Sequence, residues 1–365
     1  MALETFAPLL EQIEWSEPLF PPTPLPPALE KEARKALGSV PPCLEYTAES
    51  LWLSQAVIRL SQNPFAHLDP TLAQLVILVV SQDNSCRHCY GAQRALLKIL
   101  GYSEKQILKL EHHLHLADLA EREKAALDFA RQISRANPRP ARPEREALMR
   151  LGYSQEAIAE LAYCATSCCI INRIATMLAV PPMRSFEKLP ESLMGRLMRP
   201  LIARSIRRKG IFELPEPPAA AGDIPFLPLI TALGTSPCAH VLHRIVADAW
   251  TSPGLPRRAR LLLFGVIACA LNCPYSGAEI CRLLESMDLT REEVEQVFAN
   301  LTSPRLDPLE VKLMGLARET VRYRPEKIQK LMREVAGNLS RAQLLEVVGV
   351  CALGNALCRL SFLLP

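Results

Sequence analysis

The sequence predicts an all-α protein made of two helical-bundle repeats joined by a basic, Pro-rich connector. Three observations lead there. Aromatic residues make up only 5% of the 365, while Ala, Leu and Val recur throughout, a composition that favours helices over sandwiches or barrels. No period-2 alternation marks a strand, whereas apolar residues recur at helical spacing between capping signals. An apolar run leading to a cysteine occurs twice, 187 residues apart: Leu75 to Val80 precedes Cys86, and Leu262 to Ile267 precedes Cys273. The offset persists at Asp128 with Gly315 and Arg131 with Arg318. After a one-residue slip it sets Ser154 against Ser340 and Arg173 against Arg359. The chain reads as a tandem duplication, with a first repeat over 1–182, a connector over 183–222 and a degenerate second repeat over 223–365.

Each element carries its own signal. Pro18, Pro21, Pro22, Pro24, Pro26 and Pro27 predict an extended, polyproline-like arm. Asp69-Pro70-Thr71 opens the helix carrying Leu72 to Val80, with Pro in the first turn where its missing N–H costs little. Ser103 with Gln106, Thr290 with Glu293, and Ser340 with Gln343 read as capping boxes. Gly101, Gly152 and Gly337 follow apolar-periodic runs and fit left-handed helix ends. In the connector, Met194, Leu197, Met198, Leu201, Ile202 and Ile206 form a helical stripe. Arg196, Arg199, Arg204, Arg207, Arg208 and Lys209 line the rest without an acid among them. Such a helix either lies on a membrane surface or docks on its own protein with its basic residues solvated. Pro200 interrupts the stripe, and the docked reading is preferred. Pro215, Pro217, Pro218 and Ala219 to Gly222 end the connector.

Composition bounds the function. Lys+Arg 42 against Asp+Glu 38 gives +4, too balanced for a dedicated nucleic-acid binder. Glu4, Glu11 and Glu14 occupy the region where a signal peptide would be basic and then apolar, so none is expected. The longest apolar stretches, Leu161 to Ile171 and Leu261 to Leu271, fall short of the roughly 20 residues a membrane span needs. Twelve cysteines without export read as reduced thiols in a cytoplasmic protein.

The one strong chemical signal is Cys86-Arg87-His88-Cys89. It follows a break at Asp83-Asn84-Ser85 and opens a helix at Gly91, which puts both sulfurs in a first turn. There the unpaired N–H groups and the helix dipole stabilise a thiolate. Thiols at such sites fall from about 8.5 into the range of roughly 3.5–7.5. His88 adds a proton acceptor or cation, and Arg87 a fixed positive charge. From the residues alone the pair is a redox dithiol, two buried structural cysteines, or half of a zinc site that would want a second Cys/His pair. Cys164, Cys168 and Cys169 lie in an apolar helix and read as core. No metal site is expected, and His112, His113 and His115, like His240 and His243, read as packing or solvated groups.

At these residues the chain resembles the AhpD-like / carboxymuconolactone decarboxylase superfamily. The marks are the apolar helix ending in Cys86-Arg87-His88-Cys89, the segment Leu151 to Ile158, and Ile171-Asn172-Arg173 running to Pro182. Gly38 to Pro42 with Trp52, and Pro225 to Pro228 with Trp250, extend the likeness to both halves. It implies an all-α fold that usually self-associates, hence a homo-oligomer. In the thiol branch it implies reduction of a peroxide or disulfide substrate through a Cys-x-x-Cys pair recharged by a cellular dithiol. Cys86 and Cys89 match the two cysteines and His88 the histidine between them. Cys89 thereby takes the attacking role and Cys86 the resolving one, with no cofactor beyond a redox-active Cys86–Cys89 disulfide. The relay glutamate and histidine of that branch fall on Gln74 and Gln93, amides that exchange no proton near neutral pH.

The second copy departs further. Cys273 is kept, Ser276 replaces its partner, and Leu261 and Ile280 fall at the relay positions, with Glu279 one residue off. Cys269 and Cys281 flank Cys273 at core-like spacings. This half reads as structural, supplying the interface that a homo-oligomeric relative would take from a second subunit. The sequence therefore carries an AhpD-like thiol oxidoreductase as its first reading. A degenerate binding or scaffold protein on the same fold, or a carboxymuconolactone-decarboxylase-type enzyme, stands as the alternative.

Overall fold

The computed structural model describes residues 9–136, 140, 142–207, 224–287, 290–301 and 303–364, and every regular element among them is a helix. The first half runs α1 (Pro27–Leu37), α2 (Leu44–Thr47), α3 (Leu51–Ser61), α4 (Pro70–Asp83), α5 (Arg87–Leu100), α6 (Glu104–His112), α7 (Glu121–Arg135), α8 (Arg142–Arg150) and α9 (Gln155–Leu178). The connector forms α10 (Arg184–Lys188) and α11 (Leu193–Arg207). The second half runs α12 (Leu227–Thr231), α13 (Pro237–Thr251), α14 (Arg257–Ala270), α15 (Pro274–Glu285), α16 (Arg291–Asn300), α17 (Pro308–Glu319), α18 (Pro325–Ala336) and α19 (Arg341–Leu360). Arg208, Lys209, Pro215 and the Ala219 to Gly222 stretch lie outside the described residues, as do the side chains of Met194, Met198, Ile206 and Arg207.

Local punctuation follows the sequence closely. The Asp69 carboxylate accepts from Thr71 N and Leu72 N to start α4, with Pro70 in its first turn. The three expected capping boxes close at Ser103, Thr290 and Ser340. Gly101 and Gly152 take left-handed φ values of 109° and 88°. Gly337 does not: its φ is −68°, and its N–H continues the α18 turn by bonding Val335 O. The proline arm runs extended until Pro27 begins α1, and it is pinned across the molecule. Trp15 Nε1 donates to Val180 O, Ser16 N to Gln329 Oε1 and Leu19 N to Leu178 O, each at 3.0 Å.

At the centre α9 packs along α19, and the remaining helices cover the pair. Both are longer and more apolar than the sequence stretches predicted. The windows Gln155–Leu178 and Arg341–Leu363 are long and apolar enough to cross a membrane, but they are almost wholly buried inside the protein. An uninterrupted apolar run stops at Glu160, Asn172 and Arg173, or at Glu346, Asn355 and Arg359. The helices continue through these residues because the fold satisfies them internally. Glu160 accepts from Ala66 N, His67 N and Leu68 N at 2.7–2.9 Å and from Ser236 Oγ at 2.7 Å. Glu346 accepts from Trp52 Nε1 at 2.5 Å and Ser252 Oγ at 2.7 Å.

The two arginines make a reciprocal exchange. Arg173 Nε donates to Thr320 O, at the end of α17, at 2.9 Å. Arg359 Nε donates to Ser134 O, in the last turn of α7, at 2.8 Å. Each guanidinium thus caps carbonyls at a helix C-terminus in the opposite half, where unpaired acceptors and the dipole favour a cation. Tyr323 offers its ring to both, at 5.1 and 5.8 Å.

The connector corrects one expectation. Helix α11 does dock on α5, through Arg199 Nε on Ile99 O at 3.0 Å. Yet its leucines do not face inward: Leu193 is 75% exposed and Leu197 and Leu201 are 67% exposed. Gly195 lets the start of α11 fold back on the turn before it, since a Cβ there would sit 1.8 Å from Leu189 O. With Arg199 bonded to α5, positions 193, 197 and 201 turn to solvent.

Replacing Arg359 with Leu strands Ser134 O and Val321 O, and each buried acceptor left without a donor costs about 1–3 kcal/mol. Urea unfolding is therefore expected to show a loss of at least ~2 kcal/mol. Arg34→Ala, which breaks only an exposed pair with Glu30, is expected to change the curve little.

Candidate functional site

Helix α4 ends at Asp83, and the chain turns through Asn84 and Ser85, the latter at φ 48°. Left-handed backbone is rarely adopted by serine. Here it is held by Cys86 N donating to Ser81 O at 3.1 Å and by Ser85 N donating to Gln82 O at 2.9 Å. Asp83 anchors the turn from below through ion pairs with Arg131 and Arg135. The turn delivers Cys86 as the N-cap of α5, with Cys89 in the first turn, as the sequence predicts. Cys86 is fully buried and Cys89 is half-buried, so Cys89 is the more exposed residue of the two.

The electrostatics of the pair differ from a simple helix-terminus expectation. The neighbouring Cys86 sulfur, together with burial, holds the Cys89 thiol well above its ordinary pKa. The Asn172 side chain acts in the opposite direction. His88 Nδ1 lies 2.6 Å from Pro181 O. A carbonyl only accepts, so Nδ1 carries the proton and Nε2 keeps the lone pair. Burial lowers the His88 pKa, which leaves the ring neutral near pH 7. Arg87 brings less free charge than its position suggests, because Glu187 of α10 binds it through two hydrogen bonds, at 2.6 and 2.9 Å.

Gln74 and Gln93 do come together. Gln93 Nε2 donates to Gln74 Oε1 at 2.9 Å and to Gln74 O at 2.8 Å, and both side chains are buried. The two positions are thus in contact, and both are amides.

The sequence missed the groups on α9 that face the pair. Asn172 Nδ2 donates to Ser81 Oγ at 3.2 Å, and Asn172 Oδ1 accepts from Asn84 Nδ2 at 2.9 Å. Cys168 Sγ lies 3.4 Å from Ser81 Oγ and 3.6 Å from Asn172 Oδ1. Cys168 is core, as expected, but it also borders the dithiol. The available signal was the four-residue spacing of Cys168 and Asn172, which puts both on one helix face. Among the described residues no three His, Cys, Asp or Glu side chains are placed to hold a metal ion.

In the second half the same local turn recurs. Asn272 has φ 49°, Cys273 N donates to Ala268 O at 2.8 Å, and Cys273 is the N-cap of α15. Ser276 is fully buried with its Oγ 3.2 Å from Cys273 Sγ. Leu261 and Ile280 are buried apolar residues, and Glu279 pairs with Arg282 at 3.1 Å. Cys269, in the last turn of α14, is exposed and is not the core residue that its spacing implied, whereas Cys281, on α15, is half-buried and packs against the core.

Residues 55–132 match the model of the carboxymuconolactone decarboxylase family. This span holds Gln74, Cys86, His88, Cys89 and Gln93, and it agrees with the superfamily resemblance read from the sequence. Two solved structures are similar to half of the chain. One is an alkylhydroperoxidase AhpD core, an uncharacterized peroxidase-related protein from Ralstonia eutropha JMP134, at 22% identity over 50% of this chain and 98% of that one, with a TM-score of 0.42. The other is an uncharacterized peroxidase-related protein from Silicibacter sp. TM1040, at 23% identity over 50% and 95%, with a TM-score of 0.40. No curated protein matches the chain.

The raised Cys89 pKa has a direct consequence, since only the thiolate alkylates. At pH 7 less of it is ionised than in a free cysteine. Peptide-resolved alkylation should therefore find Cys89 slower than a model thiol at neutral pH and accelerating as the pH rises. A rate that is already maximal at pH 7 would contradict this.

Proposed function

We propose that the protein is a thiol oxidoreductase of the alkylhydroperoxidase-like kind, in which Cys86 and Cys89 cycle between dithiol and disulfide. The observation that supports the reading is the sulfur pair at the start of α5, with a fully buried Cys86 at the N-cap and the more exposed Cys89 one turn on. Cys89, once deprotonated, attacks one sulfur of a small disulfide, breaks its S–S bond and expels the first thiolate. Cys86 then attacks the Cys89 sulfur, forms the internal disulfide and releases the second thiolate, so two electrons pass from the pair to the substrate. A cellular dithiol restores the starting state. With a hydroperoxide the same sulfur would pass through a sulfenic acid.

Disulfide exchange fits better than rapid peroxide reduction. The Gln74–Gln93 amides hold hydrogen bonds but cannot take the Cys89 proton, and Cys89 binds that proton tightly. The same two facts favour the alternative of a binding protein on this fold, and turnover separates the two.

With an aryl disulfide and a dithiol reductant, the wild-type protein is expected to turn over. Cys89→Ser should abolish turnover, and Cys86→Ser should arrest it as a mixed disulfide after one event. No turnover by the wild type, with both thiols remaining free, would overturn the proposal in favour of the binding protein. A general base typically contributes about 10²–10⁴-fold. Gln74→Glu combined with Gln93→His should accordingly raise hydroperoxide turnover toward that range, and an unchanged rate would show that the proton leaves by another route.

A further inference from the structure

A cleft of about 510 Å³ lies where the start of α3 meets α13, the turn before α14 and the start of α19. It shares no residue with the Cys86–Cys89 site. Glu346 lines it at 4% exposure, and its two carboxylate oxygens are unequal. Oε1 accepts from Trp52 Nε1 and Ser252 Oγ, whereas Oε2 has no partner among the described residues. Glu160 shows the completed arrangement at the same place on α9, since each glutamate stands six residues after its helix cap, Ser154 or Ser340. Both Glu160 oxygens are filled, by Ala66 N, His67 N, Leu68 N and Ser236 Oγ. Ala66 lies four residues before α4, and the residue four before α14 is Pro253, which has no N–H to give.

We propose that this cleft binds a small primary ammonium ion with an apolar body, whose N–H groups donate to Glu346 Oε2. A buried acceptor without a donor is costly, and a buried carboxylate without a cation more so. The other acids of the cleft are already paired: Asp248 with Arg59 at 2.8 Å and Arg244 at 3.1 Å, and Glu49 with Arg341 at 3.2 Å. Glu346 forms no ion pair among the described residues. Arg260 feels its charge but does not line the cleft, and its Nη1 donates to Ala249 O and Trp250 O at 2.9 and 2.8 Å.

The head group follows from what the cleft leaves open. An anion would be repelled by Glu346. A calcium ion takes about six to eight oxygen ligands, and here one carboxylate oxygen is free. A neutral alcohol meets the hydrogen bond and leaves the charge uncompensated. A primary ammonium carries three donors, a positive charge and no acceptor. Ser50 Oγ, buried and also without a partner, lines the same cleft and offers a second acceptor. Trp52, Leu51, Pro253 and Ala342 supply apolar surface for the rest of the molecule. The volume falls within the roughly 300–1,000 Å³ common for small-molecule sites.

Calorimetric titration of the full chain with 2-phenylethylammonium, 2-phenylethanol and phenylacetate provides the test, because these share a phenyl body and differ at the head group. The expected result is saturable one-to-one binding of the ammonium, at least about tenfold weaker binding of the alcohol, and none of the carboxylate. In Glu346→Gln the amide oxygen still accepts from Trp52 and Ser252, but an NH2 replaces Oε2, and ammonium binding should fall by at least about tenfold. Ala342→Phe fills the cleft from an exposed position and should block binding with Glu346 intact. Circular dichroism melting monitors the folding of both variants, and Ala342→Phe decides the question if Glu346→Gln does not fold. Absence of saturable ammonium binding by the wild type would overturn the proposal and leave Oε2 to solvent. Equal affinity for the alcohol, or unchanged binding in a folded variant of either kind, would overturn it as well. The titration requires no turnover, so this site and the dithiol pass or fail separately.

Discussion

Two guanidinium groups buried on the central helices set the architecture. Arg173 and Arg359 sit in the protein interior with backbone carbonyls and a tyrosine ring as partners. A buried charge is tolerated only where donors and acceptors are matched closely. The match is reached by crossing over: the arginine of one half satisfies a helix end of the other. Each arginine also bonds groups of its own half, Arg173 the Cys169 carbonyl and Arg359 the Val321 carbonyl, so the crossed pair ties α9 and α19 together as one core. Glu160 and Glu346 repeat the logic further along the same helices, each accepting from a serine or tryptophan of the opposite half. These exchanges have the form of an isologous contact, in which residue i meets j and j meets i.

That core fixes both cysteine turns, because each turn presents its sulfur to the central helix behind it. The local backbone is nearly the same in the two places: a left-handed residue, a cysteine at the N-cap, and a new helix. What differs is the set of neighbours. In the first turn the second sulfur sits on the same helix and keeps its proton, with an amide behind it. In the second turn Ser276 and Ser361 set their hydroxyls 3.2 Å from the N-cap sulfur. At Cys89 the neighbouring sulfur and burial outweigh the helix terminus, since the dipole is weaker than direct contacts of this kind.

The connector contributes to the first site as well as joining the halves. Pro181 O orients His88 and Glu187 neutralises Arg87, so the residues that end the first half and begin the connector set the charge state beside the dithiol. Its outer face carries three exposed leucines, Leu193, Leu197 and Leu201.

The sequence by itself determined the helical class, the helix starts, and the position of Cys86 and Cys89 at a helix N-terminus. These depend on spacing and on side chains bonding their own backbone three residues away, as at Ser103, Thr290 and Ser340. The left-handed end expected at Gly337 failed because a glycine permits that conformation without requiring it. Membrane-length helices went unseen because charged residues interrupt the apolar runs, and only their distant partners make those charges affordable. For the same reason the tertiary structure alone decided the site's chemistry. That Gln74 meets Gln93, and that Cys168 and Asn172 of α9 meet Ser81 of α4, are contacts between different helices. A linear spacing carries no information about them, because hydrogen bonding to a thiolate acts through space over about 3–4 Å.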